Sequence, residues 1–339
     1  MSLRIALLGT GQVGRALLAR LDARTDLALV HVANTRWTQG AFEDATVVID
    51  ATASDAVAAR HADWLGRGLH VVTANKLGQG ADLARWQAIE AACSASGARY
   101  GDSATVGAGL PLLRSLRALR DGGDAIHGVA GVLSGSLAWL LGAYDGEQPF
   151  SALVRRAQAA GFMEPDPRVD LSGEDVRRKL LILVRAAGIA LEANEVALEG
   201  VTTPRLLAAT TPGDIEHALP SLDAGMRDRF HAAQARNTRL HLVARWDASG
   251  ARVGLEALSN DDPLAGGQGT DNRVALHSAR YALRPLVIQG PGAGADITAA
   301  ALLDDVLTIR NTTALQRSAS IRAGASEKKL SIDCGRLIA

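Results

Sequence analysis

Cysteine is nearly missing from this 339-residue chain, which has only Cys93 and Cys334. Two thiols so far apart form neither a metal-ligand spacing nor a disulfide framework. No sign of charge prevails, since 36 Lys and Arg face 36 Asp and Glu. A protein that coats nucleic acid or an anionic membrane usually carries a basic excess, so neither partner is expected. No apolar run reaches the ~18 residues of a membrane helix. The first apolar run, residues 3–8, leads straight into glycines and not into a signal-peptide cleavage region. A soluble, cytoplasmic protein is expected. Internal repeats and low-complexity runs are also missing. The remainder is globular in character, with 47% hydrophobic and 21% charged residues. The length suits two domains or one large one. Glycine is abundant at 35 residues, above the usual share of about 7%, and its placement carries information.

Residues 3–8 (LRIALL) read as a buried strand, followed by Gly9-Thr10-Gly11-Gln12-Val13-Gly14 and a helical run with Leu17, Leu18 and Leu21. A G-x-G-x-x-G between strand and helix is the context a dinucleotide-binding turn requires. Gly9 permits the tight turn, Gly11 lets a pyrophosphate approach, and Gly14 lets helix and strand pack closely. The second strand, 27–34, ends at Asn34-Thr35-Arg36 where an NAD site usually carries an acidic residue. Asn34 removes a charge that would repel a 2′-phosphate, and Arg36 is placed to pair with one. NADP preference with NAD tolerated is expected; a solvated Arg36 is the alternative. A third parallel strand (46–54) runs into a small-residue loop with Thr52 and Ser54. A single helix is expected over 55–66. A fourth strand, 69–76, ends at Lys76 over the cofactor side, although an exposed lysine fits that position equally. Cys93, inside a helix over 81–96, reads as a core thiol.

The middle of the chain carries different chemistry. Residues 103–111 form a loop into a helix, and 127–144 read as strand, turn at Ser134-Gly135-Ser136, and helix. The turn hydroxyls suit either capping or a carboxylate. In 159–188, Pro165 and Pro167 stiffen a loop with Glu164, Asp166 and Asp170. A helix is expected from Ser172, with Ser172 and Asp175 as a capping-box-like pair. Val176, Leu180, Leu183 and Ala187 form its apolar stripe. Lys179 falls within that stripe, while Arg177, Arg178 and Arg185 fall on the outer side. A lysine on a core-facing stripe needs a partner, and Asp175, one turn earlier, is placed to provide it. Such a pair serves acid/base chemistry or is a structural ion pair.

Taken together, GTGQVG, ATAS, VVTANK, SATVGAGLP, GVLSGS, GFMEPDPRVDLSGEDVRRKL and GPGAGADITA resemble homoserine dehydrogenase, in order from residue 3 to about 310. The resemblance implies reversible NAD(P)H-dependent reduction of L-aspartate 4-semialdehyde to L-homoserine, in threonine, methionine and isoleucine synthesis. It implies Lys179 as the acid/base group and Asp175 as the carboxylate holding it and the substrate. Lys76 is implied as shared between substrate and cofactor, and Glu164 as the contact of the substrate ammonium. Asp170 is implied as a supporting or substrate carboxylate. Gly135 and Ser136 match a substrate-side Gly-Thr pair. Gly161, Gly292 and Gly294 match cofactor-contact glycines. A sodium or potassium site through the backbone of Ser103, Val106, Ala108 and Leu110 is also implied, although many members have an acidic residue where Ser103 stands. A homodimer is implied as well, in agreement with the prevalence of two-fold assemblies. The resemblance ends near 310, so a C-terminal regulatory domain, direct feedback by threonine and a preceding kinase domain are not expected.

The remaining chain reads as scaffold. Residues 205–237 look helical, and 239–247 with 251–259 form a hairpin. Strands at 272–282 and 284–290 complete a largely antiparallel sheet, in which His127 and His277 are core or surface residues. A helix over 295–310 returns to the nucleotide-binding part. The expected fold class is α/β. It consists of an N-terminal Rossmann-type domain (1–102 plus about 290–315), an inserted α+β catalytic and dimerisation domain (103–289), and a tail (316–339). Two other functions fit less well. An aspartate-semialdehyde dehydrogenase or other aldehyde enzyme would need an acylated cysteine or another substrate, and a redox sensor binding NADP without turnover would not need the lysines and carboxylates together.

Overall fold

The computed structural model describes residues 2–34, 44–267 and 269–312. Arg36 and the 316–339 tail therefore lie outside the described residues. The first sheet contains β1 (Leu3–Leu8), β2 (Leu27–Ala33), β3 (Val47–Asp50), β4 (His70–Thr73) and β5 (Tyr100–Gly101). Its order is β2-β1-β3-β4-β5 and every pair is parallel. Side chains alternate across the sheet. Leu3, Ile5 and Leu7 meet Leu17 and Leu21 of the helix Gln12–Asp22 and Leu302, Val306 and Ile309 of the helix over 295–312. Ala6 and Leu8 face the other way, toward Trp64, Leu65 and Ile89. A strand buried on both faces must be apolar throughout, which is why these runs do not alternate in the sequence. Chain order reverses between β1 and β3, and ligands bind at such switch points beyond the strands' C-terminal ends.

The second sheet contains β6 (Ile126–Val132), β7 (Val196–Leu198), β8 (Thr238–Asp247), β9 (Gly250–Ser259), β10 (Asp271–Ser278) and β11 (Leu286–Pro291). Its order is β11-β10-β6-β8-β9-β7. All pairs are antiparallel except β7 with β9. One face is covered by helices, among them Leu112–Asp121, Gly135–Ala143, Phe150–Ala159 and Glu174–Ala186, which together enclose the largest apolar core. The opposite face carries a smaller cluster that includes Val132, Val243, Leu258 and Leu264.

Two expectations about the scaffold need correction, and one strand was not foreseen. Residues 55–66 form two short helices, Asp55–Ala58 and His61–Gly66, separated by a turn at Ala59 and Arg60. The three-residue β7 was not foreseen; it is too short to show a period. Arg185 does not face outward and is fully buried, with its guanidinium bonded to main-chain carbonyls. Among the described residues no helix is long and apolar enough to cross a membrane.

Candidate active site

Three charged side chains from two parts of the chain meet at Asp175. Lys179, one helical turn onward, places Nζ 2.8 Å from Asp175 Oδ2. Lys76, in the turn after β4, places Nζ 3.2 Å from Asp175 Oδ1. Lys179 Nζ also donates to the Leu133 carbonyl at 2.7 Å. The Lys179 side chain is only 11% exposed, while Asp175 and Lys76 are at 40% and 35%. The lysine is therefore deep and its partners are partly exposed.

The electrostatics follow from this placement. Burial alone would raise the Asp175 pKa, but the ammonium groups of Lys179 and Lys76 outweigh it and hold the carboxyl well below the usual range. Lys179 moves below the usual lysine value. Burial is the main cause and Lys76 adds to it, while Asp175 and Asp170 oppose.

Asp175 is available to the lysines because the expected capping box does not form. Gly173 occupies the N-cap at φ +76°, a left-handed conformation that suits glycine. The Ser172 hydroxyl instead accepts from the Glu174 N–H at 3.3 Å and donates to the Val169 carbonyl.

A second carboxylate organises the other wall. Asp170 accepts from Ser136 Oγ at 2.7 Å and from the Glu164 N–H at 2.9 Å. Ser136 also lies 3.0 Å from Ser134 Oγ, and Ser134 caps the helix Gly135–Ala143 by accepting from the Leu137 N–H. Gly135 has no room for a side chain, since a Cβ would lie 2.9 Å from the Thr270 carbonyl. The Glu164 side chain is exposed, so the loop is pinned by its backbone and the carboxylate stays accessible.

The turn that carries Lys76 is fixed from beneath. Asn75 Nδ2 donates to Asp50 Oδ2 and to the Ser54 carbonyl, both at 2.9 Å, and Asn75 Oδ1 accepts from the Leu77 N–H. Asp50 also accepts from the Thr52 N–H at 2.8 Å and is 3.0 Å from His61 Nε2. One buried carboxylate thus sets both the Thr52–Ser54 loop and the Lys76 turn. The sequence reading missed Asp50, Asn75 and the Leu133 carbonyl. For Asp50 the only signal was a charge inside an apolar strand.

The glycine turn fits a dinucleotide's pyrophosphate. Gly9 has φ +100°, and a Cβ there would lie 2.7 Å from the Ala51 carbonyl; a Cβ on Gly14 would lie 1.9 Å from the Gly9 carbonyl. At Gly11 a Cβ would meet nothing within 4 Å, so that side is open. The helix Gln12–Asp22 has no side-chain cap and no acidic residue in its first turn, which leaves its first N–H groups suited to an anion. Thr10 and exposed Gln12 border this opening, while Val13 packs into the core. Replacing Gly14 with alanine should raise the NADPH Kd more than tenfold in a fluorescence titration. Unchanged affinity would show that the turn is not the phosphate site.

Other expected cofactor residues lie at turns. Gly161 (φ +75°) and Gly294 (φ +127°) are left-handed and exposed. Gly292 lies against the buried Asn272 amide, where a Cβ would sit 2.0 Å from Cγ. Among the described residues no hydrogen bond joins these three glycines to the lysine cluster. Asn34 is exposed at the end of β2. Ser103 is bound to the helix over 295–312, since its N–H and hydroxyl donate to Asp305 at 2.9 and 2.8 Å. The Asp305 carboxyl is pushed up to about 6, by burial and then by the nearby Asp102. Leu110 offers its carbonyl to the Leu112 N–H, and Gly107 and Ala108 are left-handed at φ +73° and +50°. Among the described residues no group of three or more His, Cys, Asp or Glu could hold a metal ion. The Cys93 thiol is pushed up to about 11 by burial and then by Glu90 and Asp102, which makes it a poor nucleophile.

Known proteins are similar to this chain in sequence and in architecture. The family model described as homoserine dehydrogenase matches residues 111–307, and the homoserine dehydrogenase NAD-binding domain matches residues 32–101. The Escherichia coli bifunctional aspartokinase/homoserine dehydrogenase 2 is 42% identical over 80% of this chain and 33% of its own length. The chain thus spans about a third of that relative. A homoserine dehydrogenase of Emericella nidulans is 33% identical over 78% of this chain and 75% of its own length. The solved structure of a hyperthermophilic archaeal homoserine dehydrogenase in complex with NADPH superposes with TM-score 0.70 at 20% identity. It covers 92% of this chain and 98% of the archaeal chain. The parallel sheet with its glycine turn, the mixed sheet behind the lysine–aspartate cluster, and the matched family together show that this chain belongs to the homoserine dehydrogenase family.

Proposed function

We infer that this protein interconverts L-aspartate 4-semialdehyde and L-homoserine with NADPH. The observation that carries this reading is the Lys76–Asp175–Lys179 cluster, joined through Asn75 and Asp50 to the Ala51–Thr52 backbone that packs on Gly9 of the glycine turn. Lys179 Nζ has three N–H groups, of which Asp175 and the Leu133 carbonyl take two. The third is aimed at the substrate carbonyl oxygen, polarises it, and passes its proton to the alkoxide as the alcohol forms. Asp175 keeps that ammonium charged in a buried setting. Lys76 holds the substrate carboxylate, and Glu164 holds the substrate ammonium as an exposed counter-charge. Asp170, Ser136 and Gly135 shape the wall against which the amino acid lies. The bound nicotinamide supplies the hydride. The pyrophosphate of that dinucleotide would be held by Gly9, Thr10, Gly11, Gln12, Val13 and Gly14, with Thr52, Ser54, Lys76, Gly161, Gly292 and Gly294 around the rest of the cofactor.

The same reading assigns NADP preference to Asn34 and Arg36. Replacing Arg36 with alanine should raise the NADPH KM by about tenfold or more, the loss of a charge-assisted pair, and leave the NADH KM nearly unchanged. Equal changes would remove Arg36 from that role. The reading also includes an alkali cation on the carbonyls of Ser103, Val106, Ala108 and Leu110, since such ions take backbone oxygens. A homodimer through the thinly covered face of the second sheet completes it. The domains divide as 1–102 plus 290–315 and 103–289, supported by the packing of the 295–312 helix on the first sheet.

Initial rates in both directions across pH test the reaction. Reduction needs protonated Lys179, whose pKa is below 10.5. Its rate should hold at low pH and fall as pH rises through that lowered value. Oxidation of homoserine needs the neutral amine, so its rate should rise over the same interval. Asp175 stays charged until pH drops well below 3.8, so it adds no acid limb near neutrality. Parallel profiles in both directions would contradict the role of Lys179.

A further inference from the structure

We propose that Arg185 is a positioning residue that locks the segment carrying Lys76 onto the helix carrying Asp175 and Lys179. The inference rests on the reaction assigned above. Arg185 is fully buried, a costly place for a charge. Its nearest carboxylate, Glu192, is 4.0 Å away and 41% exposed. The guanidinium spends its donors on main-chain carbonyls instead. Nη1 donates to Gln79 at 2.5 Å and to Ala81 at 2.7 Å. Nε and Nη2 donate to Leu191 at 3.2 and 2.8 Å. Gln79 and Ala81 belong to the segment that begins at Lys76, while Arg185 belongs to the helix Glu174–Ala186.

Gly80 lies between these two anchors. A Cβ there would sit 2.8 Å from the Lys76 carbonyl, 3.0 Å from the Arg178 carbonyl and 3.2 Å from Ile182 Cδ1. The segment therefore rests directly on the helix backbone, and only glycine permits that approach. Asn75 fixes the near end of the segment through Asp50, and Arg185 fixes the far end. Between the two, Lys76 Nζ lies 3.2 Å from Asp175. A planar fork can serve carbonyls on two sides at once, whereas an ammonium is a single point of charge. Arg185→Lys keeps the charge and loses the span.

Two variants separate positioning from stability. Arg185→Lys removes the far anchor, and Gly80→Ala lifts the segment off the helix without touching a charge. Each is made in the native protein and in the Lys76→Met background. Each alone should lower kcat/KM for the semialdehyde about 10- to 100-fold, the scale of a small misplacement in an active site. The NADPH Kd should change no more than it does in Lys76→Met alone. In the Lys76→Met background the further loss should be under twofold, because the effect acts through Lys76. A multiplicative loss in both backgrounds would overturn the proposal.

A second readout needs no turnover. The chain has only four lysines, Lys76, Lys179, Lys328 and Lys329, so reductive methylation followed by mass spectrometry resolves each one. Lys76 should be modified at least threefold faster, relative to Lys328 and Lys329, in both variants. An unchanged Lys76 rate would overturn the positioning role even if the native protein did not reduce the semialdehyde. Native protein that does not turn over, with faster Lys76 labelling in the variants, would sink the reaction and keep the lock.

Discussion

Replacing Lys179 with alanine should lower kcat for semialdehyde reduction about 10³- to 10⁴-fold and leave the NADPH Kd within about twofold. General acid catalysis contributes about 10²- to 10⁴-fold, and loss of a single preorganised donor to a developing oxyanion costs about 10²- to 10³-fold. In the proposed reaction one ammonium performs both tasks, and both would end with it. The side chain is nearly enclosed, with Asp175 and the Leu133 carbonyl as its partners. The glycine turn belongs to the other sheet, which is why dinucleotide affinity should persist. The fold should weaken modestly, because the Leu133 carbonyl loses its donor, a cost of about 1–3 kcal/mol. Loss of NADPH binding together with activity would make Lys179 a structural residue.

Replacing Asp175 with asparagine should have the second largest effect, and its sign depends on pH. Asp175 raises the Lys179 pKa, while burial and Lys76 lower it. Without the carboxylate both lowering influences remain, so Lys179 loses its proton at a lower pH than in the native protein. Reduction measured near pH 8 should fall about 10²-fold, the lower range for a lost general acid. Lowering the pH should recover part of that loss as the lysine regains its proton. Homoserine oxidation needs the neutral amine and should lose less. A uniform loss at every pH and in both directions would mean that Asp175 orients substrate and does not set the charge of Lys179.

Much of this arrangement could be read in the sequence because its causes are local. The glycine turn is a strand, a spaced run of three glycines and a helix, and those residues close as expected, with Gly14 against the Gly9 carbonyl. The Asp175–Lys179 pair is one helical turn, a spacing that any helix imposes. Capping by Ser134 was one of the two readings its place ahead of an apolar helix allowed, and the structure shows it. Contacts between distant segments were not legible. Lys76 reaches Asp175 only because the segment after β4 packs on the helix Glu174–Ala186, and Ser103 meets Asp305 across most of the chain. Arg185 was misread because a charge on a helix is ordinarily solvated. Its burial depends on the carbonyls of residues 79, 81 and 191, which no helical pattern contains. The capping box failed for a local reason that was visible but underweighted: Gly173 could take the left-handed N-cap, which left Ser172 and Asp175 to other partners.

The most direct test of the account is the rate of NADPH oxidation with L-aspartate 4-semialdehyde, with an NADH control and mass-spectrometric identification of the product. The account predicts rapid oxidation, stoichiometric homoserine, and a faster rate with NADPH than with NADH. NADPH that binds but is not consumed in the presence of the semialdehyde would contradict it, and would leave the Lys76–Asp175–Lys179 cluster to another aldehyde or to a protein that senses the cofactor without turning it over.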